Sequence, residues 1–375
     1  MIIHLFAPFF TGSHKAWAEG YAQNSKHTVK IFSLPGKYWK WRMHGAAVNL
    51  AQQFLDQNEQ PDLILVTDML DVATFLALSR DRTATIPLAL YFHENQLTYP
   101  WSPTDEDVAL KRDRHYAWIN YTSALTADRI YFNSKYHKGS FLNALPAFLR
   151  AFPDYKGLGN VDKITQKSLV LPLGMNLKKI DEYKIEPRQN EVPILLWNHR
   201  WEYDKNPEPF FQLCFKLKEE NIDFQLVVLG EYYANAPAIF KAAKTKLSEH
   251  ILHWGFAENF KEYAKWLWRA TILPVTSKQD FFGGSVVEAM YCNTYPILPN
   301  RLAFPEHIPA RFQNEHLYNN EEELFEKVKA LLNEPSLLRD FTCSEWVESY
   351  DWEKMGLVYD EVFFKTPPSS FHKTP

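Results

Sequence analysis

The sequence predicts an α/β protein built from two doubly wound parallel-sheet halves, and three observations carry that prediction. At 375 residues the chain exceeds what one hydrophobic core usually organises, so two domains are expected. Short apolar runs rich in Val, Ile, Leu and Phe alternate with longer amphipathic stretches, as strands alternate with helices around a parallel sheet. A polar, charged stretch from Asn176 to Glu191 interrupts the alternation and reads as a linker.

The strands of the first half are IIHLF from Ile2, TVKIFSL from Thr28, DLILVTD from Asp62, PLALYFH from Pro87 and RIYFNS from Arg129, and the apolar run SLVLPL from Ser168 precedes the linker. The second half restarts with PILLWNH from Pro193, FQLVVLG from Phe224, ILHWG from Ile251, ATILPV from Ala270 and TYPILP from Thr294. From Glu321 onward the pattern is helical only, ending in a helix from Trp352 to Phe364 and a tail expected to fray. The expected domains are therefore 1–178 and 190–351, with 352–375 as a C-terminal helix and tail.

Bulk properties narrow the function. Hydrophobic residues make up 46% and charged residues 23%, ordinary for a globular enzyme, while 15% aromatic with 12 Trp is high and suggests flat ligands such as sugars or bases. A formal charge of -4 argues against wholesale wrapping of nucleic acid, so any RNA contact must be local. Cys214, Cys292 and Cys343 are widely spaced and form no CxxC pair or Cys/His zinc cluster, which fits a reducing compartment. The apolar N-terminus lacks a basic n-region and no run is long enough to span a bilayer, so a cytoplasmic location is expected.

In open parallel sheets ligands bind beyond the carboxyl ends of the strands, so the residues there carry the functional argument. After ATILPV, the segment Asp280-Phe-Phe282-Gly283-Gly284-Ser285-Val-Val-Glu288 places two carboxylates around paired glycines that allow close backbone approach at a helix start. The competing structural reading is a capping box between Ser285 and Glu288. After PILLWNH, Arg200 and Lys205 share one loop and Asn206-Pro207-Glu208 starts a helix, which together suit a pyrophosphate. Pairing of those cations with Glu202 and Asp204 is the alternative. His93 ends its strand and precedes Glu94-Asn95-Gln96, a polar cluster suited to a donor hydroxyl or developing charge. HENQL is not HExxH, which excludes a zinc peptidase. Thr11-Gly12-Ser13-His14 follows the first strand, where backbone amides approach phosphate or acceptor. Neither GxGxxG nor GxxxxGK[ST] occurs. Lys37-Tyr-Trp39-Lys-Trp41-Arg42 interleaves cations with aromatics, either for an RNA backbone or as a helix start with core tryptophans. Asp105-Glu106-Asp107 looks like a metal-binding DxD but is expected to be a solvated loop, so no metal is inferred.

At these residues the sequence resembles a GT-B glycosyltransferase of family four, whose hallmark is a Glu, seven residues and a second Glu. Here Asp280 stands first and Glu288 second. The resemblance implies two Rossmann-like domains facing across a cleft, a C-terminal helix crossing back to the first domain, and a retaining, metal-independent reaction without a catalytic base. It implies Asp280 and His93 at the donor sugar, Glu288 at the ribose, and Gly283 and Gly284 at the hexose. Arg200 and Lys205 would hold the diphosphate. Gly12, Phe282 and Ser285 would complete the donor pocket, with backbone near Gly230 and Phe256 holding the base.

A narrower resemblance rests on Gly12-Ser13-His14, Lys37 to Arg42, YFHENQLTYP from Tyr91, HRWEYDKNPEPFF from His199, HWG from His253, and FFG with Glu288-Ala289. Together these strings look like the tRNA-queuosine mannosyltransferase family. That implies GDP-mannose as donor, queuosine in a tRNA anticodon as acceptor, and an acceptor surface of Ser13, His14, Lys37, Trp39, Trp41, Arg42, Asn95, Gln96 and Tyr99. The alternatives are a family-four enzyme with another nucleotide sugar and a lipid or small-molecule acceptor, and a catalytically silent RNA-binding protein.

Overall fold

The computed structural model describes residues 1–102, 105–110, 114–185, 192–231 and 236–366; Pro103, the end of the expected linker and the tail beyond 366 lie outside them. Contacts divide the chain into one unit of Met1–Met175 with Trp352–Pro375, and a second of Asn176–Asp351.

In the first unit the strands are β1 (Ile2–Phe10), β2 (Thr28–Pro35), β3 (Leu63–Thr67), β4 (Leu88–Phe92), β5 (Arg129–Phe132) and β6 (Ser168–Val170). They pair in parallel in the order β2-β1-β3-β4-β5-β6. Because helices cover both faces, the strands bury side chains on both sides and read as continuous apolar runs. Alternate residues serve opposite cores: Phe6, Ile64, Val66, Leu90 and Phe92 on one face, and Leu5, Leu63, Leu65, Ala89 and Tyr91 on the other.

The helix Trp352–Phe364 belongs to this second face. Trp352, Met355, Tyr359 and Phe363 form its buried stripe at helical spacing, packed with Trp17 and Tyr21 of the helix Gly12–Asn24. Trp17 donates to the Tyr359 hydroxyl at 3.0 Å, and that hydroxyl donates to the Pro172 carbonyl at 2.8 Å. The Trp17 and Tyr359 tips are thus satisfied inside the core, whereas the buried Trp352 indole nitrogen has no hydrogen-bond partner among the described residues.

The second unit contains β7 (Ile194–Asn198), β8 (Gln225–Leu229), β9 (Ile251–Gly255), β10 (Ile272–Pro274), β11 (Tyr295–Pro299) and β12 (Leu317–Tyr318), ordered β12-β11-β10-β7-β8-β9 and again parallel. Eleven of these strands, β1 to β11, fall on the apolar runs read from the sequence, whereas β12 has two residues and no periodicity to reveal it. The stretch after Asn176 is more than a connector: Lys178–Asp181 forms a helical turn, Ile180 is buried, and the Trp268 indole donates to the Ile180 carbonyl at 3.0 Å.

The aromatic excess is largely structural. Trp17, Trp197 and Trp352 are among the largest fully buried side chains, and Trp201 stacks on Phe240 with centroids 4.3 Å apart. All three cysteines are buried and unbonded to one another. Among the described residues no helix is long and apolar enough to cross a membrane.

Strand order locates the sites. In the first unit the chain reverses its direction of growth between β1 and β3, and in the second between β7 and β10. A crevice opens beyond the strand ends at such a switch point because the flanking connections leave to opposite sides.

Candidate active site

In the second unit both loops flanking the switch point are bound to each other. Beyond β7, a single 3-10 turn at Tyr203–Lys205 carries Lys205 into the crevice. Its ammonium donates to Asp280 Oδ1 and to the Gln279 carbonyl, each at 3.0 Å, and stands 3.3 Å from Asp204 Oδ2. The loop beyond β10 returns the contact, with the Lys278 amide donating to the Asp204 carbonyl at 2.8 Å. Burial by itself would lower the Lys205 pKa, yet Asp280 and then Asp204 outweigh it and hold the value above the usual lysine range. Lys205 is therefore a fixed positive charge at the mouth of the sheet. Arg200 is half exposed, with Nη1 3.1 Å from Glu202. Both cations thus pair with neighbouring carboxylates.

The helix Gly284–Tyr291 starts one residue earlier than its sequence suggests, capped by Gly283 at φ 86° and ψ 49°. That left-handed conformation favours glycine. Because Gly283 is the N-cap, Ser285 cannot cap the helix, and the capping box does not form. The Ser285 hydroxyl instead meets His199 Nδ1 at 3.0 Å, and Glu288 accepts from the Tyr263 hydroxyl at 2.6 Å. Burial raises the Glu288 pKa, while the Tyr263 bond opposes the rise. The Val286 and Val287 amides already bond to the Gly283 carbonyl, at 3.0 and 3.1 Å, so it is the preceding Gly284 and Ser285 amides, with the positive end of the helix dipole, that suit an anionic or hydroxyl ligand.

Two predicted donor contacts have other roles. The Phe282 ring is 4% exposed and packs on His307 and Tyr350, each with centroids 5.1 Å away, so its side chain is core and only its backbone lies at the loop. Gly230 stands at φ 124°, and a Cβ there would collide with the His199 carbonyl, so glycine also serves the close packing of backbone on backbone at this strand end. Phe256, by contrast, is 71% exposed beyond β9.

In the first unit, Gly12 at φ 49° has open space around its missing Cβ and begins the helix after β1, with Ser13 exposed beside it. Opposite, Asp68 follows β3 and His93 follows β4. Asp68 Oδ1 accepts from the His93 amide at 2.9 Å and lies 3.5 Å from His93 Nδ1. His14, Trp17 and Tyr91 surround the His93 ring with centroids 4.4, 4.6 and 4.9 Å away. Burial pushes His93 down to about 3, so its ring is neutral and offers one donor and one acceptor. Burial carries Asp68 up to about 6, against the pull of His14. Neither ring nitrogen of His93 has a hydrogen-bond partner among the described residues, which suits a hydroxyl-bearing ligand. His14, Asp68 and His93 also place three possible metal-ligand atoms within 4.8 Å of one another.

The predicted acceptor residues divide. Asn95 is fully buried; its Oδ1 accepts from the Leu97 and Thr98 amides at 3.1 and 3.0 Å and so shapes the turn, while its Nδ2 has no hydrogen-bond partner among the described residues. Gln96 and Tyr99 are half-buried on that turn. Trp39 is half-buried at the start of the helix Trp39–Leu55, where it packs on Trp101 and Tyr116 beside buried Met43. Arg42 is half-buried and donates to the Pro35 carbonyl at 3.1 Å. Trp41 is 61% exposed and Lys37 is exposed, as is Tyr38, which the sequence reading passed over. Asp105 and Asp107 are no solvated loop: both carboxylates grip Lys40 at 2.6 Å. One ammonium thus offsets one of the two negative charges.

The matches to known proteins agree with this layout. Residues 2–175 fit the family model described as tRNA-queuosine alpha-mannosyltransferase N-terminal, and residues 179–343 fit glycosyl transferases group 1. The tRNA-queuosine alpha-mannosyltransferase of Drosophila melanogaster is 32% identical over 362 residues, covering 94% of this chain and 93% of that protein. The chain belongs to the tRNA-queuosine alpha-mannosyltransferase family. Among solved structures, sucrose-phosphate synthase from Thermosynechococcus elongatus matches with a TM-score of 0.68 at 15% identity, covering 97% of this chain and 98% of that one. Anabaena HepE in complex with UDP-glucose matches with a TM-score of 0.64 at 14% identity, covering 98% and 99%. At such identities these likenesses establish the GT-B fold alone. With the group 1 domain and the Drosophila relative, the chain is a hexosyltransferase.

Asp68, His199 and Tyr263 were missed as site residues. Asp68 and His199 end the runs DLILVTD and PILLWNH, so the strand-end rule that selected His93 would have selected them as well. Tyr263 lies inside the helix Phe260–Arg269, and nothing local marks it.

Proposed function

We propose that the protein transfers mannose, with retention of configuration, from GDP-mannose to the cyclopentene hydroxyl of queuosine in a tRNA anticodon, in the cytoplasm and without a metal. The observation that carries the donor half is the Lys205 ammonium, fixed by Asp280 and Asp204 at the β7/β10 switch point beside the Gly283-capped helix. A diphosphate in that crevice meets a preorganised cation, Arg200 and backbone amides, which together offset the charge that builds as the sugar bond breaks. Fixed protein charge thus performs the work a bound metal does elsewhere. In this reading no side chain acts as a base, and the leaving phosphate takes the acceptor's proton.

Asp280 is suited to a sugar hydroxyl through Oδ2, which has no hydrogen-bond partner among the described residues. In the first unit neutral His93, held by Asp68, presents its ring nitrogens to a substrate hydroxyl, and the exposed Lys37, Tyr38 and Trp41 offer charge and stacking to RNA.

The test is to incubate the protein with GDP-mannose and queuosine-containing tRNA, digest the RNA and weigh the nucleosides. A hexose increment on queuosine is expected, and its absence overturns the acceptor. Alanine at both Arg200 and Lys205 should abolish GDP binding; unchanged affinity overturns the diphosphate site.

A further inference from the structure

The first unit holds a cavity apart from the β1/β3 crevice. It has a volume of about 380 Å³ and lies between the turn after His93 and the helices Arg114–Thr126 and Lys135–Arg150, lined by Gln96, Tyr99, Trp101, Arg114, Ala147 and Phe148 among others. That volume falls in the range of sites for small organic groups, roughly 300 to 1,000 Å³. The geometry points to a nucleobase-binding pocket that takes an unstacked base of the acceptor RNA's anticodon loop, other than the modified one, with the adjoining phosphate on Arg114. This rests on the tRNA acceptor proposed above and names a part of it that the protein would grip.

The lining has the chemistry of a base site. Trp101, Tyr99 and Phe148 provide flat apolar surface, and bases of any identity stack on such rings. Gln96 sets an amide at the wall, held by its backbone bond to Asn120 Oδ1 at 2.7 Å and by its side-chain bond to Glu94 at 3.0 Å. An amide both donates and accepts, as a base edge demands. Arg114 is the one charged side chain among the described lining residues, so the pocket carries the sign complementary to a phosphate backbone.

The surroundings continue the same chemistry outward. Phe148 contacts Phe152 with centroids 5.3 Å apart, and Phe152 contacts Trp118 at 5.0 Å. Trp118, 44% exposed, lies one helical turn beyond Arg114 on the same face. One cation and a run of aromatics thus extend from the pocket onto the surface, a composition suited to single-stranded RNA. The wall is firm because Asn95 fixes the turn beneath Gln96 and Trp101 packs on Trp39 and Tyr116.

The experiment uses the full chain and a fluorescently labelled anticodon stem-loop carrying queuosine, with affinity read by anisotropy at fixed salt. Ala147→Trp fills the pocket from an exposed helix position, and an unchanged unfolding transition of the first unit, read by calorimetry, verifies that this unit is folded. It should weaken RNA binding about tenfold. Arg114→Gln should weaken binding and lower the salt dependence by about one counterion, and Arg114→Lys should restore most of it. Removing single bases from the loop should reveal one abasic position that weakens the wild type about tenfold yet adds nothing to A147W. If A147W binds within about twofold of wild type, or if every abasic loss persists in it, the pocket is overturned. Mannose transfer by the wild type is scored separately. Normal transfer with an indifferent A147W removes the pocket alone. The base-specific loss without any transfer supports the pocket and removes the proposed reaction, and a wild type that neither binds nor transfers removes both.

Discussion

His199 offers a sharp test of how the crevice of the second unit is built. Burial, with a contribution from the Lys205 charge, pushes its ring down to about 3, whereas in the unfolded chain it titrates near 6.5. As pH falls below that unfolded value, the unfolded state takes up a proton that the folded state refuses. Stability from this residue is therefore complete above about pH 6.5 and is lost as pH falls toward the folded-state value. At pH 5, roughly 1.5 units below the unfolded pKa, the loss is about 2 kcal/mol relative to pH 7. Because pH 5 stands well above the folded-state value, the unfolded pKa alone sets that figure. His199→Asn keeps a hydrogen-bonding group for Ser285 and removes the titration. Urea unfolding at pH 7 and pH 5, followed by the fluorescence of Trp197 and Trp201 on either side, measures both proteins, and every other titrating group cancels in the double difference. The wild type should lose about 2 kcal/mol more than the variant between the two pH values. Equal losses would refute the reasoning, since His199 would then titrate as it does in water.

Other consequences follow from the same contacts. Asp280→Asn removes the carboxylate with which a diphosphate competes for Lys205, so calorimetry should show GDP binding several-fold tighter, about 1 kcal/mol, while mannose transfer falls. A loss of GDP affinity would mean that Asp280 holds Lys205 in place for the phosphate. Gly230→Ala drives a methyl group into the His199 carbonyl and strains a positive φ, with an expected cost of about 3 kcal/mol in urea unfolding. Trp352→Ala empties the middle of the C-terminal stripe and should cost about 3 to 5 kcal/mol in the first unit's unfolding step, seen by calorimetry.

What the sequence determined by itself was the local and periodic content. Apolar runs buried on both faces coincide with eleven strands, because a strand covered by helices on both sides must be apolar along its length. The strand-end rule found Arg200, Lys205, His93 and Asp280, because in parallel sheets the connections at the carboxyl ends carry ligands whatever the overall arrangement. Side-chain partners were beyond its reach. Lys205 and Asp280 are seventy-five positions apart and meet only because β7 and β10 are neighbours in the sheet. Ser285 and Glu288 have capping-box spacing, yet a left-handed Gly283 moved the helix start and sent their side chains to His199 and Tyr263. Phe282 belongs to a string that resembles the family, but burial made its side chain structural, and Trp39 and Asn95 of other such strings spend part of theirs on contacts within the protein. The clamp of Asp105 and Asp107 on Lys40, and the cavity between Gln96 and Phe148, join segments far apart in the chain. Residue type and spacing record what a chain segment is able to do, whereas packing decides which neighbour satisfies each polar group and which face stays open to a ligand.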